Sequence, residues 1–89
     1  MNTHEGTGPK DWLVHWFAGH KGLTAEEVKA QVSLSYFDAG WLDSFEFITF
    51  ILEIEQKFGI QFSNDDLQNW DFQNIDGLAK IIDRKIGSK

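Results

Sequence analysis

The segment from Ser44 to Phe58 constrains the fold more than any other part of this chain, because its apolar residues recur with the period of an α-helix. Asp43 or Ser44 is able to cap the start of this helix, and Gly59 follows its last turn, where glycine commonly ends a helix. On a helical wheel the apolar side chains that form the core face are Phe47, Phe50, Ile51, Ile54 and Phe58. A helix with such a face is stable only when other elements cover it.

The remaining sequence predicts further helices. Pro9 in a first turn and Gly22 after a last turn bound a helix over about 9–20. A capping-box pattern at Thr24 predicts a short helix to about residue 31. A single turn over 65–69 and a last helix over 75–86 follow. The predicted fold is all-α, a small bundle of three longer helices and one or two short ones.

Two segments are predicted to be ordered loops. Residues 32–42 lack a sustained helical period and contain Gly40, which favours a loop. A β-strand over 32–36 is the alternative, but the chain offers no obvious strand to pair with it. The side chains expected to anchor this loop to the core are Leu34, Phe37 and Trp41. In the loop before the last helix, the expected anchors are Trp70 and Phe72.

The length of 89 residues is enough for one domain only. We expect a single domain over 1–89 and a monomer, with residues 1–8 as a flexible N-terminal tail. Cysteine is absent, so thiol catalysis, thiolate metal sites and disulfides are excluded. Apolar runs are short and the first residues are polar, which predicts neither a membrane span nor a signal peptide. The expected location is the cytoplasm.

Negative charge is concentrated in the middle of the chain. The formal net charge is −6, and residues 37–76 alone hold nine acids against one base, Lys57. A field of this sign repels phosphate backbones and anionic lipids, so nucleic acids and membrane surfaces are poor partners. A basic protein surface is the complementary partner.

A second apolar stripe lies beside the core face of the long helix. Phe45, Ile48 and Leu52 form it, along the edge that also carries acidic residues such as Glu46. One interpretation is that a thin bundle uses a broad apolar arc, so that Phe45 and Ile48 simply pack under a loop. The other is a docking helix, whose partner offers an apolar groove ringed by lysine and arginine.

Ser44 stands at the start of this helix, which allows two roles. It can be the N-cap and nothing more. Alternatively, the N–H groups at the helix start favour a phosphate ester on its hydroxyl. In that case Asp43 is able to hold a divalent metal beside the incoming phosphate, and Phe45 is a large side chain that a modifying enzyme is able to contact.

The sequence from 36 to 60, YFDAGWLDSFEFITFILEIEQKFGI, resembles the acyl carrier protein family. The resemblance includes the spacing to both chain ends and covers most of the chain. It implies a small four-helix bundle, with three longer helices, a short one and a long loop between the first and the second. It also implies a 4′-phosphopantetheine arm on Ser44, moved there from coenzyme A by a magnesium-dependent transferase that Asp43 contacts through metal or directly. The thiol of the arm carries acyl, aminoacyl or peptidyl chains as thioesters.

The resemblance also implies which enzymes dock and where. The partners are a phosphopantetheinyl transferase, a ligase that loads the acyl or aminoacyl group, and synthases or transferases with basic surfaces. The partner-facing helix is the one after Ser44. Its matching acidic contacts are Asp43, Glu46, Glu53 and Glu55, and its apolar contacts are Phe45, Ile48 and Leu52. A cargo pocket between helices is lined by Ile54, Phe58 and Phe62, for which plain core packing is the alternative.

Two departures from the fatty-acid carriers point to a subtype. Phe45 follows the serine where those carriers commonly have leucine, and Gly40 lies one residue further from Asp43 than in them. The chain is therefore more similar to stand-alone carriers of D-alanyl, peptidyl or polyketide pathways than to housekeeping fatty-acid carriers.

No catalytic set is predicted. Ser44 has no histidine base at a defensible spacing, and His15 and His20 lack a third zinc ligand. We therefore expect a carrier, not an enzyme, without a resident metal. The rival hypothesis is an unmodified acidic adaptor that docks a basic partner through the helix starting at Ser44.

Overall fold

A computed structural model of the protein describes residues 8–87 and shows helices joined by turns and short links. The α-helices are α1 (Pro9–Lys21), α2 (Ala25–Lys29), α3 (Ser44–Phe58), α4 (Asn64–Gln68) and α5 (Ile75–Gly87), and a 3₁₀ helix spans Trp70–Gln73. No strand is present over 8–87, and the prediction of an all-α bundle with three longer helices is confirmed. The alternative strand over 32–36 is wrong. Of the predicted flexible tail, residues 1–7 lie outside the described part, and Gly8 is the N-cap of α1.

The ends of the helices follow from local sequence. Gly22 and Gly59 end α1 and α3 in the left-handed conformation, with φ of 68° and 66°, which a residue without Cβ adopts without strain. Thr24 and Glu27 form the complete capping box at the start of α2. Ser63 accepts a hydrogen bond from the backbone N–H of Asp66 and caps α4. The predicted bounds of these helices are therefore confirmed to within a few residues.

An aromatic cluster forms the centre of the core. The ring of Phe17 on α1 lies 5.1–5.4 Å, centre to centre, from the rings of Trp16, Tyr36, Trp41 and Phe50. Aromatic pairs at such distances add to the stabilisation that burial alone provides. The cluster joins α1, α3 and the loop between α2 and α3, so this loop contributes the buried side chains of Tyr36 and Trp41 to the core.

Tyr36 is the main anchor of that loop. Its side chain is fully buried, its hydroxyl donates to the backbone carbonyl of Phe72, and its N–H donates to the carbonyl of Gln73 at 2.9 Å. Burial raises the pKa of the Tyr36 hydroxyl far above its usual value. The prediction that Leu34 anchors the loop is wrong, since this side chain is 55% exposed. Phe37 was also predicted to anchor the loop. Its ring packs against that of Tyr36, but the side chain is 39% exposed, so the prediction is confirmed only in part.

The two predicted anchors before α5 behave differently. Phe72 is buried, as predicted, but Trp70 is 79% exposed, so that prediction is wrong. Both residues lie in the 3₁₀ helix, which has three residues per turn. Side chains two residues apart therefore point in directions about 120° apart, and only one of the two faces the core here.

Asp66 ties α4 to α5 through an ion pair. Its Oδ2 lies 2.6 Å from Nζ of Lys85, and the same side chain accepts a hydrogen bond from the N–H of Ser63. Desolvation by burial raises the pKa of Asp66, but the hydrogen bonds from Lys85 and Ser63 and the positive charge of Lys85 outweigh it. The pKa of the folded protein is therefore held below the usual value.

Lowering the pH should reduce the free energy of unfolding, partly because Asp66 becomes protonated. A pKa that is lower in the folded state stabilises the fold above about pH 4, the unfolded value, and this contribution is lost as the pH falls through the folded value. We expect Asp66→Asn to lose about 0.5–1 kcal/mol at pH 7 and nothing below the folded pKa. Urea unfolding at neutral and acidic pH measures the difference. Asp65→Asn removes an equal charge that has no ion pair within the described residues, and an equal loss in that variant would contradict the assignment.

No helix within residues 8–87 combines the length and the apolar character that crossing a membrane requires.

Candidate functional site

Ser44 is the first residue of α3, and the cap of this helix is Asp43. The Asp43 Oδ1 accepts a hydrogen bond from the Glu46 N–H at 2.8 Å, and the Glu46 Oε1 accepts one from the Asp43 N–H at 3.2 Å. This capping box satisfies the helix start without Ser44. Of the two caps that the sequence allowed, the structure has Asp43, and the interpretation of Ser44 as an N-cap is wrong.

The Ser44 side chain is exposed and has no hydrogen-bond partner among residues 8–87. The backbone N–H groups of Ser44 and Phe45 also have none within this part of the chain. Unpaired N–H groups at the start of a long helix, together with the helix dipole, favour a phosphate group. The site thus combines a free hydroxyl with local donors for the oxygens of a phosphoryl group attached to it.

The residues before Asp43 fix where α3 begins. Trp41 and Leu42 are buried, 9% and 5% exposed, immediately before the exposed Asp43 and Ser44. The Trp41 N–H donates to the carbonyl of Tyr36 at 2.9 Å, which closes the turn that contains Gly40 at φ 76°. The anchor Trp41 is confirmed. The chain therefore passes from the core to the surface within two residues, and this places the Ser44 hydroxyl in solvent.

The second apolar stripe of α3 faces solvent. Phe45 is 85% exposed, Ile48 59% and Leu52 53%. The interpretation that Phe45 and Ile48 pack under a loop is wrong, and the nearby loop is anchored to the core by Tyr36 and Trp41 instead. We call Phe45, Ile48 and Leu52 the apolar stripe. It begins next to Ser44 and runs along one side of α3, at positions i, i+3 and i+7.

The acidic side chains of α3 all take part in contacts within the protein. Glu46 accepts a hydrogen bond from Nζ of Lys21 on α1 at 2.9 Å, in addition to its role in the capping box. The Glu53 Oε1 accepts one from the indole N–H of Trp16 at 3.0 Å. The Glu55 Oε2 accepts one from the N–H of Phe62 at 2.9 Å. The spacing of 25 residues between Lys21 and Glu46 gave no sequence signal for this contact.

The three predicted pocket residues lie in packed positions. Ile54 is fully buried, the Phe58 ring lies 5.7 Å from that of Trp12, and the Phe62 ring lies 4.9 Å from that of Phe72. An open surface groove near the end of α3 is lined by other residues. Within residues 8–87, no group of three histidine, aspartate or glutamate side chains is arranged to hold a metal ion.

Comparison with known proteins identifies the family. The family model described as phosphopantetheine attachment site matches residues 17–82, from the middle of α1 into α5. Neither a curated protein nor a solved structure matches the chain. The family finding favours a carrier over the unmodified adaptor. The chain thus belongs to the acyl carrier protein family, as a non-catalytic carrier domain that bears 4′-phosphopantetheine covalently.

Proposed function

We propose that Ser44 bears the phosphopantetheine arm and that the protein presents acyl, aminoacyl or peptidyl thioesters to biosynthetic enzymes. The observation that carries this proposal is the exposed, unbonded hydroxyl of Ser44 at the start of α3, inside the range that the family model matches. The absence of cysteine agrees with it, because the working thiol then comes from the arm.

The other serines within the matched range are poorer candidates. The Ser63 hydroxyl caps α4 by accepting a hydrogen bond from the Asp66 N–H at 3.1 Å. The Ser35 Oγ accepts one from the Asp38 N–H at 3.3 Å. Ser33 is exposed but lies in the turn after α2, away from the start of any helix. Only at Ser44 do a free hydroxyl and unpaired helix-start N–H groups coincide among these serines.

The proposed modification is a substitution at phosphorus. The Ser44 Oγ forms a bond to the phosphorus that carries the pantetheine part of coenzyme A, and the bond from this phosphorus to the nucleotide breaks. Adenosine 3′,5′-bisphosphate leaves, and the serine proton passes to a base on the transferase or to water. The product is a phosphodiester whose oxygens lie beside the N–H groups of Ser44 and Phe45.

We assign to Asp43 a contact with the transferase or its magnesium ion during this step. Its Oδ1 is used in the capping box, but its Oδ2 has no partner within the described residues. Carboxylate oxygens are common magnesium ligands beside substrate phosphates. The magnesium ion belongs to the transferase reaction and is not a resident cofactor of this chain.

The proposed partners are a phosphopantetheinyl transferase, a loading ligase, and synthases or transferases that use the thioester, and all of them dock on the exposed side of α3. Phe45 after the serine, and the buried pair Trp41 and Leu42 between Gly40 and Asp43, support an aminoacyl, peptidyl or polyketide carrier rather than a fatty-acid carrier. We place the protein in the cytoplasm, where coenzyme A is available. Ile54, Phe58 and Phe62 are proposed to separate around cargo only when it is bound, because they are packed here.

A single mass measurement tests the attachment site. The purified protein is incubated with coenzyme A, magnesium and a phosphopantetheinyl transferase of broad specificity, and its intact mass is recorded. We expect a gain of one phosphopantetheine, and fragmentation of the peptides should place it on Ser44. Modification of Ser33, Ser35 or Ser63 instead would show that the attachment site is that serine and not Ser44. No gain with several transferases, on a protein shown to be helical, would overturn the proposed function.

A further inference from the structure

We infer that the surface groove near the end of α3 receives the ammonium group of an aminoacyl cargo, with the Glu55 carboxylate as its counter-charge. The cargo is then a single aminoacyl group rather than a neutral acyl chain. This inference rests on the proposed function, because cargo reaches the groove from an arm on Ser44. It deepens that function by naming the class of cargo.

The groove lies between the C-terminal half of α3, α4 and the last turns of α5. The charged side chains that line it are Glu55, Asp65, Asp66, Arg84 and Lys85. Lys85 is paired with Asp66 at 2.6 Å, and Arg84 takes part in an interaction within the protein. Three carboxylates against two cations leave the lining negative, which favours a guest with a positive charge.

Glu55 is the carboxylate that α3 itself contributes to this groove. Its side chain is half-buried, and its Oε2 accepts a hydrogen bond from the Phe62 N–H at 2.9 Å. Because that donor is neutral, the bond orients the carboxylate without cancelling its charge. A carboxylate that is already oriented loses little side-chain freedom when an ammonium group pairs with it.

The register of α3 brings the end of the arm to Glu55. Glu55 follows Ser44 by eleven residues, which is about three turns, so the two positions are offset by only about 20° and lie about 17 Å apart along the helix. An extended phosphopantetheine arm spans about 16 Å from the serine oxygen to its sulfur, at the reach per bond of an extended chain. An arm laid along α3 passes Ile48 and then Leu52, which lines the groove. The ammonium of one aminoacyl group lies only a few bonds beyond the sulfur, whereas a longer peptidyl chain carries its ammonium further away.

The contents of the interior and of the groove separate charged from neutral cargo. Ile54, Phe58 and Phe62 are apolar and packed, so an ammonium group among them would lose its water without a partner. In the groove, Ile60 and Ile81 are only 7% and 1% exposed, so a hydrocarbon chain would bury little apolar area there. The groove therefore suits a charged end and not an alkyl end.

Two matched loads test the inference. A transferase of broad specificity attaches alanyl and propionyl arms from the corresponding coenzyme A derivatives, prepared as amides that resist hydrolysis, and intact mass confirms each product. The two loads differ only in the ammonium group. In ¹⁵N–¹H NMR spectra we expect the alanyl load to shift the Phe62 N–H, which reports on Glu55, and the propionyl load to leave it where the unloaded arm has it.

Titration of a ¹³C-labelled alanyl load gives a second readout. The acid dissociation constant of its ammonium should be about two- to fivefold smaller in wild type than in Glu55→Gln, as expected for an exposed ion pair. Glutamine retains an acceptor for the Phe62 N–H, so far-UV circular dichroism should be unchanged.

Glu53→Gln is the matched control. It removes the same charge from α3, and its carboxylate also accepts a bond from a neutral N–H, that of the Trp16 indole at 3.0 Å. Glu53 lies about 180° around the helix from Ser44, on the side that contacts α1. The dissociation constant in this variant should therefore equal that of wild type.

Three outcomes would overturn the inference. Equal dissociation constants in wild type and Glu55→Gln would show that the ammonium does not reach Glu55. An equal shift of the Phe62 N–H by both loads would show that the neutral part of the cargo fills the groove. Slower loading of Glu55→Gln with unchanged spectra would show that a cation of the transferase uses the groove instead. In all three cases the protein gains the mass of the loaded arm, so the proposed function stands; it fails when wild type gains no mass with any transferase.

Discussion

Ser44→Ala is expected to lose the whole mass gain on incubation with coenzyme A and transferase, while its free energy of unfolding stays within about 0.5 kcal/mol of wild type. The hydroxyl has no hydrogen-bond partner within residues 8–87, and the start of α3 is capped by Asp43. Removing the oxygen therefore deletes the nucleophile but no contact of the fold. Intact mass spectrometry and urea unfolding measure the two effects on the same sample.

Ser63→Ala is the matched control, because Ser63 is a serine that does cap a helix. Its hydroxyl accepts a hydrogen bond from the Asp66 N–H at the start of α4. Losing such a cap costs about 1 kcal/mol, and we expect this variant to gain one phosphopantetheine as wild type does. The two serines should thus show opposite behaviour. A full mass gain in Ser44→Ala would disprove the assignment of the attachment site.

The sequence was sufficient to predict the helices because their signals are local. Glycines at 22 and 59, the capping box at Thr24 and the apolar period of 44–58 each act over a few neighbouring residues, and the structure has all of them. The core face of α3 was predictable for the same reason: Phe50 and Ile54 are fully buried. The separation of the apolar stripe from the core face also followed from the period, although its exposure did not.

The anchors of the two loops were not predictable, because they depend on contacts between distant parts of the chain. Tyr36 is chosen over Leu34 because its hydroxyl reaches the carbonyl of Phe72, 36 residues away. An apolar side chain at 36 would leave that buried carbonyl without its partner, which is costly. Trp70 was mispredicted because the 3₁₀ geometry of its segment is decided by packing on α5 and not by a local period.

The candidate site was predictable in its residue types but not in the roles of its charges. The Asp43-Ser44 pair and Phe45 could be singled out from sequence. Which of the two polar residues caps α3 depends on the residue at which the backbone becomes helical, and this is Ser44. The contacts of Glu46 with Lys21, and of Glu53 with Trp16, join helices whose relative placement no local pattern specifies. Of these two acids, only Glu46 has its charge offset in this way, because Lys21 is a cation whereas the indole of Trp16 is neutral.

The same long-range contacts connect the start of α3 to the far side of the bundle. Tyr36 binds the 3₁₀ helix through its hydroxyl and its N–H, and its own carbonyl accepts the N–H of Trp41 just before Asp43. The position of Ser44 thus depends on how the 3₁₀ helix sits on α5. These two elements approach closely at Gly77, which is buried and whose Cα leaves no room for a side chain beside the backbone of Asp71.

Gly77→Ala is expected to lower the free energy of unfolding by about 2–3 kcal/mol, a large part of what a domain of this size has. An added Cβ would lie 2.2 Å from the backbone oxygen and 2.7 Å from the Cα of Asp71. Both are backbone atoms, so the 3₁₀ helix as a whole must move away from α5. Alanine gains about 1 kcal/mol of helix propensity over glycine, which is too little to compensate. Urea unfolding followed by far-UV circular dichroism measures the loss.

Gly19→Ala separates the steric effect from helix propensity. Gly19 lies inside α1, is exposed, and a Cβ there would have no atom within 4 Å, so we expect this variant to gain about 0.5–1 kcal/mol. The same substitution in two helices should therefore have opposite signs. Equal stabilisation of both variants would mean that the 3₁₀ helix does not pack on Gly77 in solution. Because Tyr36 joins that helix to the loop before α3, a displaced 3₁₀ helix should also slow modification of Ser44, whereas Gly19→Ala should leave its rate unchanged.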